Sequence, residues 1–179
     1  MDYFSFDEAI GLDLGWWAID AQNHIGFFTS GGDAPVSSKL TITGHKQMWN
    51  YFFKESPVIS KVIESKGWQI LSNFDNCCNG YTPDKSISLE ERISYFLSEY
   101  LIMGTKGVFG FSASPGFTNY STYYRITIPE NPLLFNNLPS DIQSSLHNIK
   151  IFCDFSEVTE IQGNCIPEPL EPIGDVREF

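Results

Sequence analysis

Apolar positions between Gly15 and Ser30 fall in two dense runs, Trp16-Trp17-Ala18-Ile19 and Ile25-Gly26-Phe27-Phe28, separated by the polar stretch Asp20 to Asn23. Two β-prone runs on either side of a short polar turn predict a hairpin. Ser30-Gly31-Gly32-Asp33-Ala34-Pro35 follows, and residues tolerant of positive φ and tight turning end the second strand there. The glycine pair is read as a turn, because neither G-x-x-x-x-G-K-S/T nor G-x-G-x-x-G surrounds it.

Beyond this hairpin the spacing changes to that of helices. A helix is predicted from about Thr43, with Trp49, Phe52 and Phe53 on its buried stripe and a stop near Ser56. Pro57 then suits the first turn of a second short helix capped by Ser56, turning Val58, Val62 and Ile63 inward and ending at Gly67. Residues 73–84, rich in Asn, Asp, Gly and Pro, read as a surface loop. The clearest helix covers 89–102: Ser88 and Glu91 form a capping box, Ile93, Phe96, Leu97, Tyr100 and Leu101 keep helical spacing, and Gly104 ends it.

Three β-runs follow, at 107–113, 122–128 and 150–155, the last continued by a short run at 158–161. Ser140, with Gln143 at capping-box spacing, opens a short helix whose Ile142, Leu146 and Ile149 share a side. Strands clustered around a helical insert predict an α+β fold. The sheet should be mainly antiparallel, with five or six strands and helices packed on one face. One core should hold Trp49, Phe52, Phe96, Leu97, Tyr100 and Ile126. Residues 1–162 are read as a single α+β domain and 163–179 as an acidic, Pro-rich tail, either extended or disordered, whose Ile166, Leu170 and Ile173 could pin it across the domain surface.

Composition narrows the function classes. A chain of 179 residues suits one domain, and fifteen Phe, eight Tyr and four Trp exclude intrinsic disorder. No basic segment followed by an apolar run opens the sequence, and no apolar window reaches a membrane-spanning length, so a soluble, cytoplasmic protein without membrane association is expected. Cys77, Cys78, Cys153 and Cys165 lack zinc-site spacing and read as reduced thiols, although adjacent Cys77 and Cys78 are also compatible with a redox pair or soft-metal site. The sequon at Asn119 carries no weight without a secretory signal.

The formal charge of −11 is located at the two ends of the chain. Residues 1–38 carry six acids and no Lys or Arg; residues 151–179 carry seven acids against Arg177; the middle is nearly neutral. Such a distribution repels nucleic acid and attracts a basic protein partner. Local catalytic motifs are missing. His24, His45 and His147 share no metal-ligand pattern, and Ser112 and Ser114 in Gly110-Phe111-Ser112-Ala113-Ser114-Pro115-Gly116 do not complete G-x-S-x-G. No metal and no cofactor are expected, and the chain is read as no enzyme.

Trp16-Trp17-Ala18-Ile19-Asp20, Asn23-His24-Ile25-Gly26-Phe27-Phe28 and Ser30-Gly31-Gly32-Asp33-Ala34-Pro35 resemble positions in small bacterial immunity-type proteins of polymorphic or contact-dependent toxin systems. Lys106 to Gly110, Tyr124 to Leu134 and Leu138-Pro139 extend the resemblance over residues 15–140. It implies a non-catalytic protein-binding module that neutralises a basic toxin domain, and it transfers no binding residues. Charge alone nominates Asp2, Asp7, Glu8, Glu168, Glu171 and Asp175 as partner-binding candidates. Two alternatives stand beside this reading. One is a small hydrolase with dispersed carboxylates meeting His24 or His147 in a pocket; the other is a self-associating structural subunit with a broad apolar patch.

Overall fold

A computed structural model describes residues 2–5, 13–31, 34–64, 88–113 and 122–170. Strands β1 (Gly15–Ile19) and β2 (Ile25–Thr29) form the expected hairpin, in register from Gly15↔Thr29 to Ile19↔Ile25. Its turn takes Asn23 through a left-handed φ of 65°, a conformation that Asn adopts more readily than most residues. Helix α1 (Ile42–Asn50) starts at the Thr41 cap, whose hydroxyl accepts from Gly44 N, and runs into a π-helical turn over Tyr51–Glu55. After β3 (Val62–Glu64) and α2 (Leu89–Thr105) come β4 (Phe109–Ala113), β5 (Thr122–Pro129), α3 (Ser140–Leu146) and β6 (Glu160–Gln162).

The chain is an α+β domain built on one curled, mainly antiparallel sheet. Its order is β1-β2-β4-β5-β3, with β6 also pairing β5. Among the described strands, β2 and β4 pair parallel. Parallel neighbours require a crossover, and residues 30–108, carrying α1 and α2, supply it. Between Gly110↔Thr127 and Phe111↔Arg125 the register advances one residue on β4 and two on β5. Ile126 is the extra residue of this bulge, which increases the local twist of the sheet.

Every residue of β1, β2 and β4 is buried, so both faces of these strands are covered. On one face, Trp17 stacks on Phe52 at 5.6 Å and Phe27 meets Tyr100 at 5.9 Å, which brings α1, the π turn and α2 together. On the other, Trp16, Phe28 and Phe111 pack with Tyr123 and Phe155. That second face is closed by irregular chain: Tyr123 donates its hydroxyl proton to Pro35 O, and Phe155 lies in the loop that follows α3. Among the described residues, α1 and α2 therefore share a face, and non-helical segments cover its reverse.

Several local expectations are corrected. Residues 57–60 form no helix: Ser56 N closes the π turn onto Tyr51 O, and Val62 to Glu64 pair with β5. The β-branched Val58, Val62 and Ile63 that suggested an inward helical stripe suit extended backbone equally, and Val58 and Ile63 are exposed. Residues 150–155 are not a strand. Lys150 makes one parallel bridge to Ile19, after which Asp154 Oδ1 accepts from Ser156 N and turns the chain. The short run expected at 158–161 is β6, shifted to 160–162. Pro139, not Ser140, caps α3, and Gln143 Nε2 donates to Leu138 O instead of forming a capping box.

Of the expected core residues, Phe52, Leu97, Tyr100 and Ile126 are buried, while Trp49 and Phe96 are half-buried against the same cluster. Residues 163–170 pack on the domain: Ile166 is buried, and Leu170 N donates to Val36 O at 2.8 Å. Gly67, the 73–84 loop with Cys77 and Cys78, Ser114, the Asn119 sequon and Ile173 lie outside the described residues. Among the described residues, no helix is long and apolar enough to cross a membrane.

Gly107 offers a direct test of this packing. Its φ is +81°, and a Cβ there would stand 2.7 Å from Leu133 N and 2.8 Å from Asn131 O, which are backbone atoms. Gly107→Ala should lower the unfolding free energy by about 2 kcal/mol, read from urea denaturation midpoints.

Candidate functional site

The nominated acids are placed only in part. Asp7, Glu8, Glu171 and Asp175 lie outside the described residues, whereas Asp2 and Glu168 are both exposed and both bind the segment 36–43. Asp2 accepts the Thr43 hydroxyl at 2.7 Å, and its carbonyl accepts from Ile42 N. The Thr43 bond holds the Asp2 carboxyl below its ordinary range, at the N-terminus of α1 where negative charge is favoured. Glu168 adopts a φ of 44° and sits 2.7 Å from Lys39 Nζ, raising the lysine above its usual pKa through that hydrogen bond and the accompanying attraction.

Backbone pairing shows why these ends meet. Tyr3 bridges Thr41, Ser37 bridges Pro169, and Ser38 N donates to Glu168 O at 2.8 Å. One short segment is thus held along its length by the chain around Asp2 to Phe4 and around Pro167 to Leu170. Asp2 and Glu168, far apart in sequence, are thereby attached to the same segment.

A second cluster lies at the β1–β2 turn. Asp20 is fully buried, and its carboxylate is engaged on both oxygens. Oδ1 accepts from Gln22 N at 2.8 Å and His24 N at 2.7 Å, while Oδ2 accepts from Phe155 N at 2.7 Å and lies 2.9 Å from His24 Nδ1. Asp154 Oδ1 approaches the same imidazole nitrogen at 3.7 Å. Hydrogen bonds from Ser156 N and Oγ keep the Asp154 carboxyl below its usual range, with the His24 charge a lesser influence. Asp20 therefore ties the hairpin to the loop over the second face, and His24 stands between two carboxylates.

Other nominated groups make local contacts. His147 is exposed, with Nδ1 facing Ser144 O. Ser112 is buried in β4, donates to Ala113 O and accepts from Thr29, a position unsuited to attacking a substrate. Gly31 N donates to Asp13 Oδ1 in a turn with φ of 59°. Burial, reinforced by the charge of Asp20, pushes the Cys153 thiol up to about 12, leaving it protonated and unreactive at neutral pH.

His24 was singled out from sequence only as a place where acids could gather. The four-residue spacing from Asp20 signals a turn, but nothing local announces Asp154, more than a hundred positions away. No family model, no curated protein and no solved structure matches the chain.

Two outcomes follow. Asp20→Ala removes the acceptor for a buried backbone N–H and should cost about 3–5 kcal/mol of unfolding free energy in chemical denaturation. His45, whose Nε2 donates to Gly15 O at 2.7 Å, is held below its ordinary 6.5 mainly by burial. Above that value both states are neutral; below it the unfolded chain takes up a proton that the folded chain resists. Stability should fall as pH drops through about 6.5, and His45→Gln should flatten the wild-type difference measured between about pH 7.5 and 5.5.

Proposed function

We propose that the protein is a non-catalytic binding module whose acidic surface docks a basic protein partner, of the kind a toxin domain would present to its immunity protein. The observation that carries this reading is the attachment of Asp2 and Glu168 to one segment. The regions supplying them each have a net charge of −6, counted over residues 1–38 and 151–179. A concentrated negative potential speeds encounter with a cationic partner and disfavours nucleic acid and anionic membranes. Lys39 neutralises part of this surface at Glu168, so the partner's cations would compete with it. Action in the cytoplasm belongs to the same proposal.

A second reading, a small hydrolase with dispersed carboxylates, draws on the meeting of Asp20 and Asp154 at His24. It is the weaker one, because both Asp20 oxygens accept backbone N–H groups and so hold the fold.

The adjacent gene product is the partner to test. Its association rate should fall by about tenfold when salt rises from about 0.05 M to about 0.5 M. Reversing Asp2, Asp7, Glu8, Glu168, Glu171 and Asp175 to Lys should slow association much more than it speeds dissociation. Failure to bind at low salt, or binding indifferent to both salt and these reversals, would sink the proposal.

A further inference from the structure

We propose that Asp20, His24 and Asp154 form a site for one divalent transition-metal cation, bound by His24 Nδ1 and one oxygen from each carboxylate. The three donor atoms lie within 4.8 Å of one another. Octahedral coordination at about 2.1 Å sets adjacent donors about 3 Å apart. His24 Nδ1 and Asp20 Oδ2, at 2.9 Å, already have that spacing. Asp154 Oδ1, at 3.7 Å from the ring nitrogen, needs to close by less than an ångström toward it, and its side chain is 29% exposed and held, among the described residues, by Ser156 alone.

The convergence itself points to a cation. An imidazole nitrogen holds either one proton or one lone pair. As a donor, Nδ1 serves Asp20 and leaves Asp154 beyond hydrogen-bonding distance. Two carboxylates are thus drawn together around a ring only 16% exposed, with one proton between them. Like charges so placed oppose each other unless a cation lies between them, a role that either the imidazolium or a bound metal ion fills. Moving the ring proton from Nδ1 to Nε2 turns Nδ1 into a lone-pair ligand and vacates one position on Asp20 Oδ2, opening room for the ion.

Neighbouring bonds would hold the ligands in place. Gln22 N, His24 N and Phe155 N orient the Asp20 carboxylate, and Ser156 orients that of Asp154, as hydrogen bonds behind metal ligands commonly do. Asp154 and His24 face solvent enough to admit the ion and the waters completing its shell. Mixed nitrogen and oxygen donors without a thiolate suit Mn2+ and its neighbours in the first row. The site joins the β1–β2 turn to the 151–158 loop, so occupancy would stabilise the fold independently of any protein partner.

Mn2+ is the probe, because it competes poorly for the cysteine thiols. In electron paramagnetic resonance titrations of the full chain, the free-ion signal should be depleted by a single saturable site. Resonances of the His24, Phe109 and Phe155 rings should broaden before others, and the melting temperature should rise. Asp154→Asn, at a partly exposed position, should keep the fold and weaken binding by at least about tenfold; His24→Gln should do likewise. No saturable binding, or binding unchanged in both folded variants, overturns the proposal, the latter assigning the ion to the acidic surface. Loss in the variants with broadening centred on His24 supports it whether or not a protein partner is ever found.

Discussion

A hairpin buried on both faces has to be covered twice, and the rest of this structure follows from that requirement. Trp16, Trp17, Phe27 and Phe28 lie on adjacent strands and all have 0% exposure. Each such ring removes about 150–250 Å2 from water, so leaving either face open would forfeit several kcal/mol per aromatic side chain. Helices cover the face of Trp17 and Phe27. Among the described residues no helix lies against the opposite face, which recruits the 34–40 segment and the chain after α3.

Irregular backbone is a costly cover, because its N–H and C=O groups lack the internal pairing of a helix. Asp20 resolves part of that problem. Its buried carboxylate accepts from Phe155 N and so replaces the ladder bond that a regular strand at 150–155 would have supplied. Arg125 adds to this from β5, donating to the carbonyls of Phe155 and Ser156 at 2.8 Å each. Charge inside the fold thus serves first to fasten a loop, and any ligand at His24 would use a scaffold already built for stability.

Covering the second face also attaches Asp2 and Glu168 to one segment. The 36–43 segment lies between Tyr3 and Pro169, and both partners are attached to it through backbone bridges. The surface proposed for partner binding is therefore a by-product of closing the core. Asp2 and Glu168 there are exposed, and exposed charges screened by salt suit the steering of an encounter better than its final affinity.

Local pattern by itself determined the β1–β2 hairpin, the capping box of α2, the α+β class and the terminal location of the acids, because each depends on neighbouring residues. The partly buried placements of Trp49 and Phe96 were near misses of the same reading. Tertiary structure decided the rest. Val58 to Ile63 fit helix and strand alike until β5 offered an edge, and residues 150–155 looked like a strand until the Asp20 carboxylate took Phe155 N. The parallel β2–β4 pair, the approach of Asp154 to His24 and the attachment of Asp2 and Glu168 to one segment all join positions remote along the chain. Periodicity and capping act over a few residues, whereas these contacts are selected by the need to bury both faces of a single sheet.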